Sequence, residues 1–284
     1  MSEPKYRIQL ADLISGEVER IVDATSGQKF ALQVGVAPDS QSITARVRAY
    51  EAICETLLGL APVGGFWAEE SHYYIWQKAL TQLSTRRAEG GYTIWVNLQC
   101  YPATLLLYSL GLGAIEAGRL EFLGVLFATT VHQENREDLP AIQLLPAFTL
   151  IEHSENAKLL EGMDRRHAPL NDWLHNLLKQ HLKRIISNEN RFTFVFDKLE
   201  ILMALGYAHH SKRAKEWYWA PPGAYGYRNE NRERILKEID ESLAKDGGNS
   251  IYVISRIFGD SVETCTSNMA AFRIFVNKIA GSWW

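Results

Sequence analysis

The sequence predicts an all-α fold, a multi-helix globular array built around a buried apolar hairpin of two helices. Apolar residues recur with helical period in almost every strong segment, which is the main sequence signal for amphipathic helices. The block Tyr92–Val131 is the most apolar part of the 284-residue chain and is far longer than a strand. Gln28–Val36 is the one short segment whose pattern also fits an extended strand.

The N-terminal part predicts amphipathic helices separated by proline and glycine. The expected elements are a helix over Ala11–Ala24, a helix capped by Ser42 or Thr44 and stopped by Pro62 with Gly64 and Gly65, and a helix from Ser71 to the pair Gly90 and Gly91. Serine and threonine favour helix starts because their hydroxyl oxygens accept a first-turn N–H, and glycine and proline favour helix ends.

The central hairpin begins near Pro102, a residue that fits the first turn of a helix because no hydrogen bond is lost there. The first helix is expected to run through Leu112 and to be apolar all round, which indicates burial on most sides. Ala117 and Gly118 predict the turn into a second helix, Leu120–Thr130.

A membrane-spanning helix is the alternative for this block, but the apolar run is too short for it. The run from Ala103 to Ile115 is 13 residues long, and Glu116, Arg119 and Glu121 follow. A spanning helix needs about 20 apolar residues. The pattern therefore favours a buried hairpin and no membrane partner.

The C-terminal part continues the helical pattern, with an exposed loop expected over Val131–Leu139. The further predicted helices are Leu139–Leu160, Leu170–Ser187, Phe194–His209, Glu230–Ala244, a short Ile251–Phe258 and Val262–Ala280. Lys215–Tyr227 is aromatic, contains two prolines and two glycines, and cannot be a regular helix. We expect a single helical domain over 1–284, with a division into 1–160 and 161–284 as the alternative.

The composition is that of an ordinary soluble protein, with 46% hydrophobic and 22% charged residues and a net charge of −3. A negative net charge argues against a general nucleic-acid-binding surface, although a local basic patch is still compatible with it. Cys54, Cys100 and Cys265 lie far apart, which predicts free thiols in a reducing compartment. Together with the absence of a signal-peptide pattern at the N-terminus, this favours a cytoplasmic address.

Motifs that identify common enzymes are missing from the sequence. There is no phosphate-binding loop, nucleophile elbow, zinc-protease helix or EF-hand, and Gly111-Leu112-Gly113 lacks the third glycine of a dinucleotide-binding loop. The adjacent histidines 209 and 210 diverge on a helix by about 100° and so do not share a metal easily. We therefore predict no catalytic residue, no metal and no cofactor.

Two groups of residues are the candidates for binding. The aromatic residues Trp217, Tyr218, Trp219, Tyr225 and Tyr227 would anchor a protein partner if their segment is exposed. The basic residues Lys179, Lys183, Arg184, Lys212, Arg213 and Lys215 would bind nucleic acid through its phosphates, with the nearby aromatic rings stacking on bases. The simpler interpretation of both groups is a basic helix end followed by aromatic packing onto the core, and we favour it over nucleic-acid binding.

Four stretches together resemble a family module. They are Arg46–Trp67, Tyr74–Gly118, Phe196–Arg228 and Arg256–Val276. This set resembles the helical C-terminal module of large bacterial proteins in which a Schlafen/Alba-like nucleic-acid-binding domain, or another effector domain, comes first. The resemblance covers most of the chain and brings no catalytic residue with it. It implies that an effector part lies outside this chain, and that the protein serves antiphage defence.

Three functions follow as hypotheses. The first is a non-enzymatic interaction, scaffold or sensor subunit of a bacterial defence or regulatory assembly, bound to a protein partner or to a second copy of itself. The second is a helical nucleic-acid-binding or nuclease-associated protein that uses the basic residues above, with nucleic acid also reachable through an effector partner. The third is an unfamiliar enzyme built on His153, Asp164 and His167, near which His175 also lies.

Overall fold

The fold was obtained as a computed structural model of the chain. Described are residues 4–26, 30–31, 35, 37–85, 92–132, 137–151, 157–211 and 218–282, with side chains through residue 279. The expected extended segment, Gln28–Val36, falls mostly outside these ranges.

Helices dominate the described residues, which confirms the all-α prediction. Those of the N-terminal part are α1 (Pro4–Ala24), α2 (Ser40–Ile53), α3 (Glu55–Phe66), α4 (Glu70–Ser84), α5 (Thr93–Asn97), α6 (Tyr101–Glu116) and α7 (Leu120–Ala128). Those of the C-terminal part are α8 (Ala141–Leu144), α9 (Ala147–Leu150), α10 (Pro169–Leu182), α11 (Glu189–His210), α12 (Asn229–Asp246), α13 (Ile251–Ile254) and α14 (Val262–Ser282).

The predicted hairpin lies at the centre as α6 and α7. Pro102 occupies the first turn of α6, and the turn between the helices contains Gly118 with a φ of +71°, a conformation that favours glycine. Helix α6 is buried on all sides and contacts α2, α3, α4, α7, α10 and α11. It continues four residues past the expected end at Leu112, because the surrounding helices bury that last turn as well.

Within the described ranges, one stretch, Thr93–Glu116, is long and apolar enough to cross a membrane by length and composition. However, 94% of its most apolar window is buried inside the protein. The stretch therefore has the burial of a soluble core helix, as the short apolar run had predicted.

Several of the predicted boundaries were wrong. Asp39, and not Ser42 or Thr44, caps α2, and Ser42 lies in the first turn and bonds back to Asp39. Helix α1 begins at Pro4 rather than Ala11, and the helix from Ile251 ends at Ile254 rather than Phe258.

Pro62 and the pair Gly64 and Gly65 do not stop a helix, because α3 continues through them to Phe66 and packs tightly against α6. The predicted helix Leu139–Leu160 is divided instead. Pro140 and Pro146 have extended backbones with ψ of 144° and precede the short helices α8 and α9, so the chain leaves the helical conformation at each of these prolines.

The segment expected to be a long loop, Val131–Leu139, is partly paired. Strand β1 (Thr130–Val131) runs antiparallel to strand β2 (Leu139–Pro140), with Thr130 opposite Pro140 and Val131 opposite Leu139. This ribbon lies beside α4 and α8. It positions the short helices α8 and α9, which lead to the cleft described below.

Candidate functional site

The aromatic region of the sequence folds onto α11 as a closing segment, residues 218–228. Its backbone is irregular up to Gly223 and then forms a 3₁₀ turn over Ala224–Gly226. Below it lies a set of buried polar groups, here called the acidic hub, made of Asp172 from α10 and Asp197 and Glu200 from α11.

Asp197 and Glu200 stand one turn apart on α11 and bind the closing segment. The backbone N–H of Ala224 donates to Glu200 Oε2 over 2.8 Å, and Asn171 Nδ2 donates to Glu200 Oε1. Arg228 Nη1 donates to Asp197 Oδ1 over 2.7 Å. Both carboxylates are therefore occupied in fixing residues 224–228 to α11.

Asp172 links the same segment to α10. The hydroxyl of Tyr227 donates to Asp172 Oδ1 over 2.6 Å, and Arg228 Nη2 lies 3.5 Å from that oxygen. The second carboxylate oxygen, Oδ2, is buried without a hydrogen bond and lies 3.8 Å from Arg166 Nε. Arg228 thus pairs with Asp172 and Asp197, while Glu200 is held by the N–H groups of Asn171 and Ala224.

Burial changes the protonation of the hub. It raises the pKa of Glu200 to about 8, with the nearby Asp197 carboxylate adding to the rise, and it raises the pKa of Asp197 as well. Glu200 is therefore mainly protonated at neutral pH. The cavity beside it measures only about 10 Å³, the room of about one water molecule, and so offers no space for a substrate.

The predicted aromatic anchors are packed against the core wherever the structure describes them. Tyr225 is only 1% exposed, lies 5.3 Å from Phe272 between ring centroids, and donates its hydroxyl to the carbonyl of Pro221. Trp219 packs between Phe148 and Tyr207. Tyr218 and Tyr227 are half-buried, and Trp217 lies outside the described residues. The partner-binding role required exposed side chains, and Tyr225 is buried. For Trp217, Tyr218, Trp219 and Tyr227 this role stays a prediction.

The predicted basic group is only partly described. Lys179 forms an ion pair with Glu189, while Lys183 and Arg184 are exposed at the end of α10. Lys212, Arg213 and Lys215 lie outside the described residues. The nucleic-acid hypothesis therefore stays a prediction, and one of its six cations is already paired within the chain.

The proposed enzyme residues do not assemble in the described part of the chain. Asp164 is exposed beside Arg165, and His167 is exposed with its ring 6.2 Å from that of Tyr227. His175 is half-buried, with Nε2 3.1 Å from the hydroxyl of Thr193, and burial lowers its pKa to about 4. His153 lies outside the described residues. No group of three His, Cys, Asp or Glu side chains suited to a metal occurs among those described.

A separate cleft of about 280 Å³ opens beside the hub. Its walls come from α9, the loop before α10, the first turn of α10 and the closing segment. The lining residues are Ala147, Phe148, Ile151, Ala157, Lys158, Arg166, His167, Ala168, Pro169, Leu170, Asn171 and Pro222. We call it the basic cleft, because its polar lining includes Lys158, Arg166 and His167.

Sequence reasoning missed both the hub and the cleft. One signal for the hub was present, since Asp197 and Glu200, with Lys198 between them, interrupt the mainly apolar stretch Phe192–Leu205 at the spacing of one helical turn. Buried carboxyl groups need partners, so such a pair predicts a basic or N–H-rich segment packed above it. No comparable signal marks the cleft, whose walls are separated by up to 75 positions in the chain.

No family model matches this chain, and comparisons with curated proteins and with solved structures also find no match. The resemblance to the Schlafen/Alba-associated module therefore stays a prediction.

Proposed function

We propose that this chain is a non-enzymatic interaction or sensor module, acting in the cytoplasm as a subunit of a bacterial defence or regulatory assembly. The defence context comes from the family resemblance alone. The carboxyl groups of the hub are committed to holding the fold together, and this supports a binding role over a catalytic one.

The observation that carries the proposal is the pair of exposed aromatic side chains at the corner between α3 and α4. Trp67, just after α3, is 59% exposed, and Tyr74, in the second turn of α4, is 69% exposed. Tyrosine and tryptophan dominate the energetics of protein interfaces, because they bury large areas at low entropic cost. The corner is therefore the partner contact that we expect first, because its aromatic side chains are more exposed than the half-buried Tyr218, Trp219 and Tyr227 of the closing segment.

The test is capture of partners by the tagged wild-type chain and by the double variant Trp67→Ala/Tyr74→Ala. We expect a stoichiometric partner protein, or a self-associated oligomer seen by light scattering, with the wild type. We expect the corner variant to lose it, with binding at least tenfold weaker, since a hot-spot residue contributes about 2 kcal/mol or more.

Tyr6→Ala is the matched control, since Tyr6 is also an exposed aromatic residue, 49% exposed, but lies on α1. It should leave the complex intact, and circular dichroism should show native folding of all variants. Equal capture by the wild type and the corner variant would contradict the proposal. Recovery of nucleic acid that is lost at high salt would instead support the nucleic-acid hypothesis.

A further inference from the structure

We propose that the corner between α3 and α4 binds an arginine-bearing segment of a separate partner protein. The inference rests on the proposed function, because it gives the chemistry of the partner expected at Trp67 and Tyr74. Three observations carry it: the packed aromatic surface of the corner, the exposed carboxylates around it, and the commitment of the neighbouring Arg119 within the chain.

The aromatic surface of the corner extends beyond its two most exposed rings. Phe66 packs edge-on against Trp67, with ring centroids 5.2 Å apart, and Tyr73 stacks on Phe122 of α7 over 4.8 Å. Phe66 and Tyr73 are half-buried, and Phe122 is fully buried. The end of α3, the start of α4 and the start of α7 are therefore packed together before any partner arrives. A surface that is already ordered loses little conformational entropy on binding.

Three exposed carboxylates lie at this corner. Glu69 and Glu70 come between the two exposed rings in the sequence. Glu70 is one helical turn before Tyr74, the spacing at which side chains of a helix are neighbours. The third is Glu121, in the first turn of α7. Burial raises the pKa of Tyr73, and the negative charges of Glu121 and Glu70 add to the rise, so both carboxylates lie near that ring.

The positive charges near these carboxylates do not neutralise them. Arg119 is half-buried and donates through Nε to the carbonyl of Phe66 over 2.8 Å, so it holds the end of α3. Lys78 lies one turn beyond Tyr74, away from the start of α4. None of the three carboxylates forms an ion pair with a residue in the described ranges. The helix dipole at the start of α4 adds only about half a positive charge, and the corner stays negative.

A guanidinium group fits both the rings and the charge of the corner. It is attracted to the face of a tryptophan or tyrosine ring, and its planar set of N–H donors matches the oxygens of a carboxylate. A lysine ammonium is attracted as a point charge, but it does not stack flat on a ring. Nucleic acid is repelled, because its phosphates carry the same sign of charge as the corner. The chemistry of the corner therefore favours an arginine-bearing protein segment.

The experiment is a titration of the full chain, at low ionic strength, with a capped octapeptide of alternating glycine and arginine. The readout is NMR of the tryptophan indole N–H signals, in which the Trp67 signal is identified by its loss in Trp67→Ala. We expect a saturable shift of that signal, weaker binding of the matching lysine peptide and none of the glutamate peptide. Binding of the arginine peptide should weaken about five- to tenfold in Glu69→Gln/Glu70→Gln, because two exposed ion pairs are lost.

Glu230→Gln/Glu263→Gln is the matched control, because both residues are exposed carboxylates in the first turn of other helices, α12 and α14. This variant changes the net charge of the chain by the same amount. It should bind the arginine peptide as the wild type does, and circular dichroism should show native folding of both charge variants. Peptide binding that leaves the Trp67 signal unmoved, or that weakens equally in the control, would overturn the inference.

Capture of the partner separates this inference from the proposed function. We expect Glu69→Gln/Glu70→Gln to capture the partner about five- to tenfold more weakly than the wild type. If capture is lost in Trp67→Ala/Tyr74→Ala but unchanged in the glutamine variant, the inference fails while the proposed function stands. Equal capture by the aromatic variant contradicts the proposed function, and the inference with it. Self-association through the corner, seen by light scattering without another protein, would identify a second copy as the occupant and overturn the inference.

Discussion

The contact between α3 and α6 and the contact between the closing segment and α11 are built in opposite ways. At the first, two helices approach so closely that a methyl group at Gly65 would lie 2.1 Å from the carbonyl oxygen of Leu110. A methyl group at Gly113 would lie 2.2 Å from the carbonyl oxygen of Pro62. This contact depends on the absence of side chains.

The second contact depends on buried charge. The carboxylate of Asp197 is fully buried and faces Arg228, whose side chain is 22% exposed. Burial makes such a pair costly to form, and it makes the loss of either partner costlier still. Close packing of backbones therefore fixes the contact between α3 and α6, whereas a few specific polar partners fix the closing segment. Three substitutions test this difference.

The largest effect is expected for Arg228→Met, which removes the cation that faces two buried carboxylates. We expect a loss of about 3 to 5 kcal/mol in the free energy of unfolding, measured by urea denaturation, because Asp197 would lose its charge partner and Asp172 would keep only the more distant Arg166. The closing segment should also become accessible to protease.

Arg191→Met is the matched control, since Arg191 bonds Glu116 over 2.8 Å but has a side chain that is 43% exposed. An exposed pair contributes at most about 1 kcal/mol. If both variants lose the same stability, the hub is no stronger than a surface ion pair, and the contrast between the two regions fails.

The next effect is expected for Gly65→Ala in the helical centre. The added methyl group meets backbone atoms of α6, which cannot rotate away, so α3 and α6 must separate. We expect a loss of about 3 kcal/mol, the upper end for overpacking a core. The measurement is the shift of the urea midpoint, provided that the slope of the unfolding free energy against urea concentration (the m-value) stays unchanged.

Gly59→Ala provides the control within the same helix. Gly59 is exposed and a methyl group there meets nothing within 4 Å, so alanine should stabilise α3 by about 0.5 to 1 kcal/mol. A loss of stability in Gly65→Ala together with a gain in Gly59→Ala would establish close backbone packing between α3 and α6. A neutral Gly65→Ala would contradict it.

The two regions also differ in how far sequence predicts them. The hairpin α6–α7 follows from apolar composition, Pro102 and Gly118, because these act locally. The continuation of α3 through Pro62 does not follow, because contact with α6 outweighs the local preference of proline to end a helix. The sequence marks Asp197 and Glu200 on one helix face, but their partners cannot be predicted from it, since Asp172, Asp197 and Arg228 meet only after three separate segments have folded.

The most specific effect concerns Glu200→Gln, because it appears as a change in the pH dependence of stability. Below its ordinary pKa of 4.5, Glu200 is protonated in both the folded and the unfolded chain. Between 4.5 and the folded pKa of about 8, the unfolded chain releases this proton while the folded chain keeps it. Stability therefore falls as the pH rises through this window, by at most about 1.4 kcal/mol per pH unit.

Glutamine has no proton to release, so Glu200→Gln should remove this part of the slope. His175 contributes a slope of opposite sign, because its lowered folded pKa makes stability fall as the pH decreases below its ordinary value of 6.5. That contribution is common to both proteins and cancels in the difference between wild type and variant. The urea midpoints of the wild type and of Glu200→Gln should therefore converge as the pH rises towards 8, because the wild type loses stability over this range and the variant does not. Parallel curves would mean that Arg228 and the N–H donors from Asn171 and Ala224 keep Glu200 ionised in the folded chain, and that the hub holds three charges rather than two.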